Sequence, residues 1–326
     1  MAGVLLDMTE LTELWMDASA LALAVAWDIA LGEPPNAIHP VVGIGKVISW
    51  LERIAPKANR FAQFVYGLLV ALLLPAVLGA GAYFLAQWLK EVWIPLYVVV
   101  VAILFKTCFS IRGLQASAND VRLSLEKNDS SDAARNLKSL VSRDTAQLTL
   151  EQSASAAIES VAENTTDSFA APWLYFAIFG LAGAVVYRVV NTLDAMIGYH
   201  GKYEYLGKAS ARLDDLLNLI PSRIAALTIS AVSLLTRDNF MRSLKVLFKE
   251  GHHTESPNAG LTMAAMAGAL GVKLEKVGHY VLGVGLRAPL PADIARSIRI
   301  MKWVAAFSLL VIFALLYIHH FFFNNI

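Results

Sequence analysis

Between Phe64 and Leu89 the chain carries no charged residue, and the run includes LLVALLLPAVLGAGAYFLA. Roughly 20 apolar residues in a helix cross the hydrocarbon of a bilayer, where an open strand edge would find no water for its backbone. This one stretch therefore directs the fold toward membrane-spanning helices. Pro75 and the Gly79/Gly81 pair predict a bend within it.

A second span is predicted from Val92 to Ile111 (VWIPLYVVVVAILF at its start), and the polar turn Lys90-Glu91 joins the two as a helical hairpin. A third runs from Trp303 to Phe323, with Arg299 and Lys302 as its basic flank and His319-His320 near its end. Ala18 to Leu31 is interrupted by Asp28, Phe169 to Val190 ends at Arg188, and Ile220 to Leu235 holds Arg223 near its start. These three read as short, tilted or protein-buried segments. With 57% hydrophobic and 16% charged residues the chain is too apolar for a soluble domain of this length. The expected fold is an all-α, polytopic integral membrane bundle, multi-pass in the cell membrane and in contact with the lipid bilayer.

Lysine and arginine (27) nearly balance aspartate and glutamate (26), so no strong field points to a nucleic-acid partner. The single cysteine, Cys108, rules out an intramolecular disulfide and a cysteine cluster for zinc or iron–sulfur. The first residues carry Asp7, Glu10, Glu13 and Asp17 without a lysine or arginine, opposite to the start of a secretory signal, so a retained N-terminus is expected. From Arg112 to Asp167 the chain is polar, and Arg112, Arg122, Lys127, Arg135, Lys138 and Arg143 place this stretch in the cytoplasm under the positive-inside rule. The hairpin turn at Lys90-Glu91 is then outside. Gly113 to Leu125 and Ala133 to Leu140 read as amphipathic helices around a break at Lys127 to Ser131. No repeat or composition shift divides the chain, so one domain over 1–326, with a cytoplasmic helical stretch at 112–167, is expected.

Polar residues beside these apolar segments are the places to look for chemistry. Asp144 and Gln147 have the spacing of a capping box, opening a helix that continues through Glu159 and Glu163, one turn apart on one face. Like charges at that spacing repel by a few tenths of a kcal/mol, so either a solvated face or a cationic neighbour is implied. Asn164 follows, and Asp167 stands at the edge of an apolar segment where charge is costly. In Tyr187-Arg188-Val189-Val190-Asn191-Thr192-Leu193-Asp194, helical spacing aligns Arg188 with Asn191 and Asp194. In Ala211-Arg212-Leu213-Asp214-Asp215-Leu216-Leu217-Asn218, an Arg212–Asp215 pair accounts for one carboxylate and leaves Asp214 over. Adjacent carboxylates with nearby amides are hard ligands of the kind magnesium uses together with water and phosphate. His39 lies in a turn-rich passage before an amphipathic helix from Lys46 to Ile54, and the histidines, His200 among them, show no zinc-binding spacing. There is no P-loop and no GxGxxG fingerprint.

Taken in order, GEPPNAIHPVVGIG, RDTAQL, IESVAENTTDSFAAP, YRVVNTLDAMIGY, ARLDDLLNLIPSR and PNAGLTMAAMAGAL resemble the cobinamide-phosphate synthase family (CbiB/CobD) over nearly the whole chain. Glu33 stands where that family is expected to carry aspartate. The resemblance implies ATP-dependent ligation of (R)-1-amino-2-propanol, or its O-phosphate, to a propionate of adenosylcobyric acid, giving adenosylcobinamide or its phosphate. A carboxylate is a poor acyl donor, so such ligases pass through an acyl phosphate that the amine attacks. ATP and magnesium are the implied cofactors, and other cobalamin-pathway membrane enzymes are possible partners. By the same resemblance Glu159, Glu163, Asp167 and Asp194 are catalytic candidates. His39, Arg143, Asn164, Arg188, Asn191, Arg212 and Asn218 are implied to bind substrate, Asp214 and Asp215 to hold magnesium, and Pro257-Asn258-Ala259-Gly260 to admit the corrinoid. The competing readings are a corrinoid transporter and an AmpE-like signalling protein. Residues 112–167 and 191–218 are expected on the cytoplasmic face, although an outward crossing by Phe169 to Val190 would put the second stretch outside.

Overall fold

The computed structural model describes residues 8–141, 143–199 and 201–322. Asp7 and His200 lie outside these, as do the side chains of Glu10 and His320. The described chain is helical apart from a two-stranded hairpin, in the order α1 (Met8–Ala30), α2 (Pro40–Ile54), α3 (Arg60–Val92), α4 (Ile94–Lys106), α5 (Ile111–Glu126), α6 (Ser130–Leu137), α7 (Leu150–Thr165), a π-helical turn (Thr166–Ala170), α8 (Ala171–Ile197), α9 (Lys208–Val232), α10 (Phe240–Glu250), α11 (Ala259–Leu270), β1 (Leu274–Lys276), β2 (Tyr280–Leu282) and α12 (Pro291–Phe322). Five helical stretches are long and apolar enough to cross a membrane: Arg60–Val92, Ile94–Glu126, Leu150–Ile197, Lys208–Val232 and Pro291–His319. The protein is a multi-pass membrane protein.

The chain falls into two compact units, each built from separated segments. The first comprises Met1–Ser110, Ala171–Leu217 and Leu309–Ile326. Its predicted hairpin is present as α3 and α4, and the break falls on Trp93 rather than at Lys90-Glu91 because Pro95 sits in the first turn of α4. α3 is continuous through Pro75. Two of its glycines serve close packing: a Cβ at Gly79 would overlap Val186 of α8, and one at Gly67 would overlap the carbonyl of Leu206, whereas Gly81 faces open space. Phe105 and Phe109 form an aromatic core with Phe176 and Trp173 of α8, the Phe105 and Phe176 rings stacking at 4.1 Å between centroids. α8 contains one non-helical residue, Gly180, at φ 60° and ψ −155°, a conformation open essentially to glycine alone.

The second unit comprises Ile111–Ala170 and Asn218–Ser308. The two amphipathic helices predicted between 112 and 140 appear as α5 and α6, with Asp129 capping α6. The expected box at Asp144 and Gln147 does not form. Asp144 instead accepts the Ala146 N–H, and Thr149 with Gln152 completes the reciprocal box that starts α7. α7 is lined by Ala154, Ala156, Ala157 and Ala162, and α11, which packs against it, is buried from Gly260 to Leu270. Such small side chains let helix backbones approach: a Cβ at Gly268 of α11 would press on the backbone of Arg242 in α10.

Candidate functional site

In the first unit, polar groups gather around residues 107–110, where the chain breaks between α4 and α5. Lys106 closes α4 fully buried, with its Nζ 3.1 Å from Asp28 Oδ1, 2.9 Å from Glu33 Oε1 and 3.1 Å from the Phe109 carbonyl. His39 caps α2 by accepting the Val41 N–H on Nδ1, which leaves Nε2 as the protonated nitrogen that donates to Glu33 Oε2 at 3.1 Å. On the other side of the break Arg188 of α8 donates through Nε and Nη2 to the Cys108 carbonyl and through Nη1 to Asn191 Oδ1 at 3.1 Å. Asn191 in turn donates to Asp214 Oδ1 of α9 at 3.3 Å. Three predicted strings, around His39, Arg188 and Asp214, thus reach the ends of one short non-helical segment through two cations.

Burial by itself would raise the Glu33 carboxyl, but hydrogen bonds from Ser110, Lys106 and His39 and the Lys106 charge hold it below the ordinary glutamate value of 4.5. A depressed folded value means that this group stabilises the fold fully above the unfolded value and loses that contribution as pH falls through the folded one. Acid titration of stability should therefore show a component below pH 4.5 that is missing in Glu33→Gln. Equal acid profiles for the two proteins would remove Glu33 from the account.

Asp194 is half-buried on the same helix as Arg188, and Gly198 packs so close that a Cβ there would overlap its carboxylate. Arg212 is exposed and meets Asp215 at 3.7 Å, as the spacing predicts. An exposed pair of that length contributes about 0–1 kcal/mol.

The second unit brings a different set together. Glu159, 5% exposed, accepts Ser155 Oγ on Oε1 at 2.7 Å, and on Oε2 it accepts Arg143 Nη2 at 3.3 Å and the Tyr280 hydroxyl at 3.0 Å. The β-hairpin is fixed to the same place, since the Glu275 N–H donates to Ser155 Oγ at 2.8 Å. Burial pushes the Tyr280 phenol up, and the Glu159 carboxylate beside it pushes it further, so it remains a donor. Tyr280→Phe is expected to lower stability by about 1.5–3 kcal/mol, the range for a hydrogen bond to a charged group, as read from the unfolding midpoint in detergent. An unchanged midpoint would show that the contact carries no weight.

Arg143 Nε and Thr166 Oγ1 are buried with no hydrogen-bond partner among the described residues. Thr166 opens the π-helical turn that also holds Asp167, and such turns recur at functional sites. Glu163 is exposed, and Asn164 bonds back to Ser160 within α7. Asn218 is buried in α9. Further along α9, Ser222 and Arg223 donate to Asn258 Oδ1 at 3.1 and 3.2 Å, which joins the IPSR and PNAG strings. Sequence reasoning gave no site role to Lys106, Tyr280 or Arg223. A lone acid in one apolar segment (Asp28) and a lone base at the end of another (Lys106) was a signal for the first of these. Tyr280 lies on a three-residue strand with no pattern to mark it.

A family model described as CobD/Cbib protein matches residues 21–309. The chain belongs to that family. The cobalamin biosynthesis protein CobD of Dehalococcoides mccartyi is 45% identical over 295 residues, covering 90% of this chain and 96% of the relative. The probable cobalamin biosynthesis protein CobD of Methanothermobacter thermautotrophicus is 46% identical over 268 residues, 82% and 87% of the two chains. That of Methanocaldococcus jannaschii is 36% identical over 301 residues, 91% and 96%. No solved structure gives a significant match. The residues of both clusters, from Asp28 to Tyr280, fall within the span matched by the CobD/Cbib family.

Proposed function

We propose that this protein acts in cobalamin biosynthesis as an ATP-dependent C–N ligase, joining (R)-1-amino-2-propanol or its O-phosphate to adenosylcobyric acid. The observation that carries the reading is the linkage His39–Glu33–Lys106 and Arg188–Asn191–Asp214 about one break in the chain, within a CobD/Cbib match that spans both. Groups scattered over the sequence and spatially linked in this way fit a binding site better than independent surface features.

Among the described residues no three histidine, cysteine, aspartate or glutamate side chains converge as a metal cage. An octahedral ion such as magnesium does not need such a cage, because it retains water and phosphate oxygens and takes one or two carboxylates from the protein. Asp214 and Asp215 are assigned to hold it, and when bound it would offset phosphate charge. Arg143, whose Nε is buried without a partner, and Arg188 are assigned to anionic groups of the substrates. Glu159, Glu163, Asp167 and Asp194 are the candidates to take the proton that the amine must lose before it attacks. His39, Asn164, Arg212 and Asn218 are assigned to substrate contacts, and Asn258 with its neighbours to the corrinoid. We also place the α5–α6 turn in the cytoplasm, given the basic residues on both sides of it.

Purified protein supplied with adenosylcobyric acid, ATP, magnesium and each amine in turn should release phosphate in step with a corrinoid product heavier by the amine less one water. Corrinoid movement across proteoliposomes without a change in mass would replace the ligase with a transporter. Labelling of Asn128→Cys from outside intact cells would reverse the sidedness.

A further inference from the structure

The described residues 233–253 contain a surface that the ligase reading leaves unused. α9 ends at Val232, in a helix apolar enough to span, and the chain turns through Leu234 and Leu235, which are 63% and 61% exposed. It then enters α10. The inner face of α10 is settled: Ser243, Val246 and Leu247 are buried, and Arg242 donates to the carbonyls of Gly268 and Ala269 at the end of α11. On the outer face Met241 and Phe248, seven residues apart and hence on one stripe, are each 72% exposed. Lys245 lies between them and Lys249 beside them, both exposed.

The distribution of charge is one-sided. Asp238 and Glu250, the acids flanking and ending the helix, are both turned inward. Asp238 pairs with Arg296, and Glu250 accepts the N–H groups of Gly283 and Val284 at 2.6 and 3.2 Å. The exposed charges left in this stretch are Arg237, Lys245 and Lys249, all positive. Water is a poor neighbour for Met241 and Phe248, and an acidic protein face would match the lysines but not four exposed apolar side chains in continuity with a membrane span. Helices that lie in the membrane interface turn large apolar residues to the acyl boundary and basic ones to the headgroups, and the outward side of α10 offers both kinds.

We propose that α10 is an in-plane interfacial helix that seats Met241 and Phe248 at the acyl boundary of an anionic leaflet, with Lys245 and Lys249 on the headgroups. The test uses full-length protein in nanodiscs of phosphatidylcholine, with or without phosphatidylglycerol. Cys108 is buried, so Met241→Cys supplies the reactive thiol, and Ser139→Cys, on an exposed turn, is the reference. A membrane-impermeant maleimide should label position 241 more slowly than 139, and most slowly in the anionic discs. Each of Lys245→Gln and Lys249→Gln, added to Met241→Cys, should speed labelling roughly fivefold there and leave the phosphatidylcholine rate unchanged, as expected for a lysine near an anionic surface. Labelling at 241 as fast as at 139 in both discs would put the face in water and overturn the proposal. Equal protection in both discs, insensitive to the lysines, would overturn headgroup recognition. Protection that appears only when soluble protein is added would assign the face to a protein partner instead.

Discussion

Lys106→Met is expected to lower stability by about 3–5 kcal/mol, the cost of breaking a buried ion pair by removing its cation. Lys106 is 1% exposed and Asp28 is fully buried, 3.1 Å away, so the substitution takes the cation from beside a buried carboxylate while also removing a donor from Glu33 and the Phe109 carbonyl. Methionine keeps the length of the side chain, so little of the loss comes from a cavity. Neutralising the acid as well, in Lys106→Met/Asp28→Asn, should recover part of the loss. Unfolding by SDS titration from a mild detergent measures both. A single variant within about 1 kcal/mol of the parent would mean that water or a rearranged side chain reaches Asp28.

For Asp214→Asn the expected result is a folded protein with turnover reduced at least roughly a hundredfold, because a lost metal ligand removes stabilisation of the charge that develops on a transferring phosphate. Asparagine preserves the shape and still meets Asn191, which now donates to the carboxylate at 3.3 Å. Loss of a merely structural carboxylate would change stability by about half a kcal/mol and leave turnover nearly intact. Raising magnesium should restore part of the activity of the variant. Near-normal turnover with unchanged magnesium dependence would return Asp214 to a purely structural role.

The membrane architecture was legible because length without charge is a strong signal: α3 and the apolar part of α12 lie where an uncharged run demands them, and α4 starts within its predicted span but ends at Lys106, short of Ile111. α12 nevertheless starts at Pro291, well before the predicted Trp303, since Arg287 and Arg296 pair with Asp293 and let a charged first turn join the apolar helix. The start of α7 was misplaced because Asp144-x-x-Gln147 and Thr149-x-x-Gln152 carry the same spacing, and only the local turn that occupies Asp144 separates them. Arg188 with Asn191 and Arg212 with Asp215 were readable from helical periodicity. Lys106 with Asp28 and Tyr280 with Glu159 were not, because each pair is separated by many residues and no local pattern specifies which distant element supplies the partner.

The interleaving of the two units bears on how the protein is made. The first unit draws on residues up to Ser110, from Ala171 to Leu217, and again from Leu309 onward. A ribosome delivers these segments in order, so the early hairpin enters the bilayer long before its last partner exists and waits there unfinished. A nascent chain stopped before Leu309 holds every charged side chain of the Lys106 and Arg188 network yet lacks a segment of the same unit. Quality-control proteases that sense incompletely packed membrane helices therefore have a window that stays open until the segment from Leu309 is made, and a change in that segment can lower the yield of a site built from residues far from it in sequence.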